Sequence, residues 1–539
     1  MTKEAAIAAQ PEKDINRKVV LLGLIIGMFF SAMEQTVVGT AMPTIIGVLN
    51  GFKIFAWVTT AYLITSTTVI PIVGKWSDMF GRRKLYLFGI IIFVTGSGLC
   101  ATATTMEQLI AYRALQGIGG GMIMPLTQTI VGDIFTAEQR ARWQGVFGAI
   151  FGLSSVIGPL LGGFLVDNIS WHWIFLINVP FGLLSAILLY AGLKHEIVGD
   201  AKAGNIDWPG IAVFVPALVL MLLWLSFGGD KFAWNSFTSY ALIISSLILT
   251  IIFAMVETKA AQPIIDMRLF KNRVFTVTNV LGLLLGFGMF GAIMFVPMFM
   301  QGILGVSSTK AGSTMTPMMI ALIIASIIGG QLLLRFRYRT VLTVGMIIIC
   351  AGFYMMSTMG LATTMLTAYS YMIILGLGMG LVMPTLMIAV QNEFPKNQLG
   401  EVTSASTFFR AIGGTFGMTV LNAVMNHSLG VKVAEGAKTP QIQNDPLLKQ
   451  LADNLQDKID DLFSILIQPD LLPIQGQPKE VILHFIKVAW ADSFVLVFQV
   501  GLGFLVLGVL VALMVGGGKI KRDRKAKTGG SSPAETPQA

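Results

Sequence analysis

The sequence predicts an all-α, multi-pass membrane protein, and three observations carry that prediction. Hydrophobic residues make up 54% of the 539 positions and charged residues only 12%, against the roughly 25% charge of an ordinary soluble domain. Apolar runs long enough to cross a hydrocarbon layer about 30 Å thick recur along the whole length. Lys and Arg concentrate in alternate short links between those runs, the bias that marks cytoplasmic loops.

Fourteen candidate spans fall near 18–41, 54–73, 85–104, 109–131, 143–165, 172–192, 208–228, 239–256, 274–299, 311–334, 340–359, 367–390, 403–425 and 489–515. Links on one side carry Lys75, Arg82, Arg83 and Lys84, then Arg140 and Arg142, then Lys271 and Arg273, then Arg335, Arg337 and Arg339. The opposite links carry only Lys53, Lys231 and Lys310. Both termini are therefore expected in the cytoplasm, which requires an even number of spans, and the basic tail KIKRDRKAK agrees. This asymmetry explains the net charge of +9. No nucleic-acid partner is expected, because no basic patch is interleaved with aromatic residues.

The first twenty residues are polar and charged, and the first apolar run is long enough to stay in a bilayer, so no cleavable signal peptide is read. Cys100 and Cys350 sit inside apolar runs without metal-ligand spacing and are expected as small buried hydrophobes. With only four His residues, no metal or haem site is expected.

An internal repeat organises the chain. Residues 117–125 read GIGGGMIMP and residues 376–384 read GLGMGLVMP, a constant offset of 259 from Gly117 to Gly376. Asp133 and Asn392 correspond at the same offset. Two related half-bundles with a central site gated alternately from each side follow from such a repeat. The offset is met only if 208–228 and 239–256 form an extra pair between two sets of six. The expected organisation is a cytoplasmic segment 1–17, a bundle 18–192, a linker 193–273 containing the extra pair, a bundle 274–515, and a basic tail 516–539. The polar stretch 426–487 is expected as an external loop, with Leu447, Leu448, Leu451, Leu455 and Ile459 at the spacing of an amphipathic helix.

Two groups of residues carry chemistry. Glu34 interrupts the first apolar run at a depth where an unpaired carboxylate is costly. The first basic link reads Gly74-Lys75-Trp76-Ser77-Asp78-Met79-Phe80-Gly81-Arg82-Arg83-Lys84. Its glycines allow tight turns, and Asp78 and the arginines can form charge-assisted bonds. Such a clasp can be made in one orientation and broken in the other.

This link has the form of the signature loop of the major facilitator superfamily, and the chain resembles that superfamily's fourteen-helix drug:proton antiporter branch. Arg113-Ala114-Leu115-Gln116-Gly117 is similar to its fourth-helix motif. Gly148, Gly152, Gly158, Pro159, Gly162 and Gly163 match the glycine-proline motif of its fifth helix, and Glu34 through Pro43 resembles its first-helix signature with glutamate where aspartate is usual. The counterpart loop of the second half, Arg335 to Arg339, is degenerate.

The resemblance implies the major facilitator fold, two six-helix bundles plus two linking helices. It implies a proton-coupled multidrug efflux antiporter exporting amphiphilic or cationic organic compounds by alternating access. A metabolite uniporter or proton-coupled importer of the same fold is the alternative. Gly74, Asp78, Gly81, Arg82, Arg83, Asp133 and Arg142 are then gating residues.

At 1.5 Å per residue, Glu34 and Arg113 reach similar depth, and a pair between them reduces the desolvation cost of both. Protonation of Glu34 leaves Arg113 to turn to Gln116 or a backbone carbonyl. Glu34, Arg113 and Gln116 are the candidate coupling residues, and Asp492 is a candidate accessory acid. Met33, Trp57, Tyr62, Met122, Met383, Met387 and Phe409 are candidates for the substrate cavity, with Met124 and Met379 among the methionines expected to face it, since methionine and aromatic faces adapt to varied apolar or cationic ligands.

No cofactor is expected; the driving force is the proton gradient. No G-x-x-x-x-G-K-[ST] run supports an ATP-driven pump and no His, Cys or acidic cluster supports an enzyme. The expected partners are small organic molecules, protons and the lipid bilayer, the expected location is the bacterial cytoplasmic membrane, and a monomer is expected to suffice.

Overall fold

The computed structural model describes residues 15–49, 54–194, 206–229, 231–306, 308–333, 335–439, 465–466 and 477–516. Among them the architecture is all-α, with only two isolated β-bridges, Ile15 to Leu193 and Gly228 to Phe232.

Fourteen long helices follow one another: α1 (Arg17–Leu49), α2 (Ala56–Phe80), α3 (Arg82–Cys100), α4 (Met106–Ile134), α5 (Ala137–Asn168), α6 (Asn178–Gly192), α7 (Trp208–Phe227), α8 (Phe237–Glu257), α9 (Arg273–Gly302), α10 (Met315–Leu332), α11 (Tyr338–Met356), α12 (Met365–Glu393), α13 (Leu399–Ala437) and α14 (Gln477–Leu513). Thirteen stretches overlapping these helices are long and apolar enough to cross a membrane. The helix left out is α4, whose 29 residues include Arg113, Gln116, Gln128 and Asp133. Its polar residues lower its hydropathy because it is buried among other helices and its polar groups find partners there.

The repeat is visible in packing. Thr105 caps α4 by accepting from the Gln108 amide, and Thr364, at the repeat offset, caps α12 by accepting from the Thr367 amide. Side chains at these positions satisfy the unpaired first-turn amides of a helix. Gly117 and Gly121 of α4 lie against the α2 backbone, while Gly119 lies against α3 at Phe93 and Gly89. Their equivalents Gly376 and Gly380 of α12 lie against α10, and Gly378 lies against α11. In both halves, small residues two apart let one helix approach two neighbours at backbone distance.

The extra pair α7 and α8 is held by Trp224 Nε1 donating to Ser239 Oγ at 2.9 Å and Ser246 Oγ donating to the Ala217 carbonyl at 2.8 Å. α7 meets the first half through Trp57 against Phe227 and the second through Thr419 Oγ1 donating to the Leu225 carbonyl at 3.0 Å. α8 leaves Ile244, Leu247, Ile251 and Met255 more than half exposed. An apolar face of that kind suits lipid.

Two expectations change. The stretch 426–487 is not a loop at its ends: α13 runs on to Ala437 and α14 starts at Gln477. The reason is a stripe hidden by the polar average, since Leu429, Val433 and Ala437 are buried with Ile482 and Ile486, and Gly436 faces the Phe485 ring. The amphipathic helix expected around Leu447 to Ile459 lies outside the described residues, as do most of segment 1–17 and the basic tail. The sixth span is divided into a turn, Trp173–Leu176, and α6. Pro180, which has no amide hydrogen, sits just inside the second piece.

A Cβ at Gly119 would stand 2.6 Å from the Gly89 carbonyl and 2.7 Å from Phe93 Cα, whereas one at Gly163 would meet open space. Gly119→Ala is expected to destabilise the folded protein by roughly 1–3 kcal/mol and Gly163→Ala to leave it unchanged, read as thermal unfolding in detergent. Equal unfolding temperatures for the two variants would contradict this packing.

Candidate functional site

Five helices of the first half converge on Glu34. The side chain is fully buried. Arg113 Nη1 of α4 donates to Glu34 Oε1 at 2.6 Å and to Gln116 Oε1 at 2.7 Å. Asn178 Nδ2, at the start of α6, donates to Glu34 Oε2 and to Ser97 Oγ of α3, the latter at 3.0 Å. Gln116 Nε2 donates to the same hydroxyl at 2.8 Å, and Ser97 Oγ donates to the Phe175 carbonyl at 3.0 Å. One hydroxyl thus uses its donor and both acceptor positions. Arg113 Nε donates to the Val58 carbonyl of α2 at 3.3 Å, and its guanidinium lies 4.3 Å from the centre of the Tyr62 ring.

The two alternative acceptors anticipated for Arg113, a glutamine and a backbone carbonyl, are therefore already in contact with it. Asn178 and Ser97 were missed, being neutral polar residues in apolar runs. Their signal was the same as that of Glu34, weakened by their lower cost of burial.

A second cluster ties the two halves together at the end carrying the basic links. Asp78 of α2 accepts from the backbone amides of Gly400 at 3.0 Å and Glu401 at 2.8 Å, in the first turn of α13. A carboxylate from one half thereby satisfies the open helix end of the other, where the helix dipole also favours negative charge. Arg82 holds Asp78 at 2.5 Å and Asp133 at 3.0 Å, and Lys75 pairs with Glu401 at 3.2 Å.

Gly74 permits this approach, because a Cβ there would overlap Ser404 and come within 2.8 Å of the Gly400 carbonyl. Gly81 is required at the turn by its φ of 100°. Arg140 adds a bond to Gln391 Oε1 at 3.4 Å, and Thr407 Oγ1 donates to Gln128 Oε1 at 3.3 Å. At the repeat position of Asp133, Asn392 Nδ2 donates to the Tyr338 hydroxyl at 3.1 Å. The degenerate second loop keeps the contact without charge.

Arg83 stands apart from this cluster. It donates to the Lys194 carbonyl at 2.9 Å and covers the Tyr190 ring at 4.1 Å, so it anchors α3 to the end of α6. Arg142 lies on α5, and its side chain is outside those described. Glu401 was missed because its partners are distant in sequence.

In the glycine-proline motif, Gly148 faces Leu322, Gly152 faces Met319 and Gly158 faces Thr36, which packs α5 against α10 and α1. Pro159 is exposed and Gly162 is buried. Asp492 is exposed in the middle part of α14, 4.0 Å from Lys432.

Between the halves lies a cavity of about 200 Å³. Of the seven residues proposed to line it, Tyr62 and Met383 do so, as do Met124 and Met379. The others do not. Met33 and Met387 are buried in helix contacts, Met122 packs on Gly89, Trp57 packs against Phe227, and Phe409 packs on Phe408 and Phe270. Adjacent positions on a helix differ by about 100° in direction, so Met122 and Met124 face opposite ways.

Among the described residues the cavity wall contains no carboxylate; its charged side chain is Arg410 of α13. A cationic ligand therefore finds no counter-charge in the wall. Tyr62 forms both a wall of the cavity and the face on which Arg113 rests, which places the Glu34 pair one side chain behind the chamber. Among the described residues no group of three or more His, Cys, Asp or Glu is placed to hold a metal ion.

The sequence profile of the Major Facilitator Superfamily matches residues 24–418. The chain belongs to that superfamily. It is 46% identical over 511 residues to the multidrug transporter protein MdtP of Bacillus subtilis, covering 93% of this chain and 94% of that one. It is 36% identical over 518 residues to multidrug resistance protein 3 of the same organism, covering 94% and 97%. Among solved structures it matches the human organic anion transporter MFSD10 (TM-score 0.58, 14% identity, 93% of this chain and 100% of that one). It also matches the proton:xylose symporter XylE (TM-score 0.55, 11% identity, 91% and 95%). At such identities these two structures speak for the fold alone. The chain is thus a multi-pass carrier of the superfamily rather than an enzyme.

Removing one member of a buried charge network costs roughly 3–5 kcal/mol, and about 1.4 kcal/mol is tenfold in an equilibrium. In a background lacking Cys100 and Cys350, a cysteine placed at Thr407 is expected to react at least about tenfold faster with an impermeant maleimide from the basic-link side once Asp78→Asn is added. An unchanged rate would mean that Asp78 does not hold that end closed.

Proposed function

We propose that this chain is a proton-coupled multidrug efflux antiporter of the fourteen-helix drug:proton branch, which exports amphiphilic organic compounds by alternating access. The observation that carries the reading is the fully buried Glu34–Arg113 pair set directly behind Tyr62, itself a wall of the central cavity. The names of the two Bacillus relatives support drugs as the cargo.

Proton uptake by Glu34 removes the charge that holds Arg113 at 2.6 Å. The guanidinium keeps Gln116 and the Val58 carbonyl, and Tyr62 is free to shift with it. Substrate pressing on Tyr62 from the cavity acts on the same group from the other side. Proton and substrate then bias one element, and coupling requires that their affinities differ between its two states. Substrate need not touch Glu34.

In this cycle the outward-facing site takes up a proton and releases substrate. The inward-facing site loses the proton as new substrate binds. The Asp78–α13 tie closes the inner end in the first state and opens in the second. Gly74, Asp78, Gly81, Arg82 and Asp133 serve that gate; Arg142 is proposed with them from the family resemblance.

The two halves are residues 18–192 and 274–515, joined through 193–273. The protein sits in the bacterial cytoplasmic membrane with both termini inside, needs no cofactor and works as a monomer.

The test is counterflow in proteoliposomes with an imposed proton gradient. Wild type is expected to move substrate against proton flow, and Glu34→Gln to retain binding while losing about 100-fold or more of gradient-driven flux, the size of effect when a required proton carrier is removed. Substrate movement indifferent to the gradient in both proteins would indicate a facilitator, and accumulation with proton flow an importer.

A further inference from the structure

Arg410 is not used by the mechanism above, yet it occupies the cavity wall. Arg82, Arg113 and Arg140 each have carboxylate, carbonyl or amide partners. Among the described residues Arg410 has neither an ion pair nor a side-chain hydrogen bond. A guanidinium withdrawn from bulk water without a partner is costly, and five N–H donors in a planar fork fit a carboxylate or similar anion.

The surroundings point the same way. Among the described residues no Asp, Glu, His or Lys lines the cavity, and the charge they bring to it is that of Arg410. Glu34, the acid behind the wall, is already held by Arg113 and Asn178. Ser326 Oγ lies on the wall, buried and without a hydrogen-bond partner. Much of the remaining lining is methionine and phenylalanine, including Met289, Phe290, Met318 and Met379.

We infer that the cavity selects amphiphilic organic anions, with Arg410 receiving the anionic head and the methionine and phenylalanine side chains receiving the apolar body. This rests on the cavity being the substrate site of the proposed carrier. An anion both relieves the unpaired cation and gains a charge-assisted bond. A cation of equal size meets repulsion and no carboxylate. Arg410 is thus a specificity-determining residue, and the substrate class is narrower than the sequence suggested.

The test is equilibrium binding to the full chain in nanodiscs at neutral pH, using naproxen as an aryl carboxylate, its neutral carboxamide, and tetraphenylphosphonium as a lipophilic cation. Wild type is expected to prefer the carboxylate over the carboxamide by about tenfold or more, as a charge-assisted hydrogen bond provides. Arg410→Gln is expected to bring the two affinities together; if that variant fails to assemble, Arg410→Met makes the same comparison. Equal binding of carboxylate and carboxamide by wild type overturns the inference. So does cation binding as tight as that of the carboxylate, or a preference that survives the loss of Arg410. No gradient is used, so a failure of proton coupling leaves this ratio unaffected, and a flat ratio leaves antiport unaffected.

Discussion

The pairing of Glu34 with Arg113 is the constraint on which the first half depends. Placing a carboxylate at the centre of an apolar bundle costs several kcal/mol unless charge and hydrogen bonds meet it. Here both oxygens are met, one by Arg113 and one by Asn178, and the donors are themselves fixed by Gln116, Ser97 and the Val58 and Phe175 carbonyls. The contributing residues come from α1, α2, α3, α4 and α6. The close approaches that bring these helices together, such as Gly96 against Gln116 and Gly117 against Tyr62, therefore also serve the charge.

The Asp78 cluster solves a different problem with related chemistry. A helix start buried between two bundles leaves its amides unsatisfied, and α13 is capped by an acid from the opposite half. The cap holds only while the two ends meet, because its donors and its acceptor belong to different halves. The bonds of Arg82 to Asp78 and Asp133 keep the acid aligned within its own half. This division, permanent bonds within a half and removable ones between halves, is what a rocking pair of bundles requires.

Much of this was legible because a charge in an apolar run is rare and expensive. Glu34 stands out for that reason, Asp78 and Arg82 stand out in the basic link, and the repeated glycine-proline pattern matches α4 with α12 and Asp133 with Asn392. Helix phase was less legible. Side chains two residues apart on a helix face different surroundings, as Met122 and Met124 do, and five of the seven residues proposed for the cavity pack elsewhere. Arg410 carried the same signal as Glu34, a lone charge in the run TFFRAIGGTFG, and was passed over. Asn178 and Ser97 are neutral, and Glu401 pairs across 326 positions with Lys75, which pattern along the chain cannot display.

The central claim is that Glu34 changes protonation state in response to occupancy of the cavity beyond Tyr62. Infrared difference spectroscopy of the lipid-embedded protein measures this directly through the carbonyl stretch of a protonated carboxyl group. The account predicts a carboxyl band that grows on acidification, is absent in Glu34→Gln, and changes its midpoint when substrate binds. A band that ignores substrate, or one that persists unchanged in Glu34→Gln, would contradict it and leave the pair with Arg113 a purely structural bond.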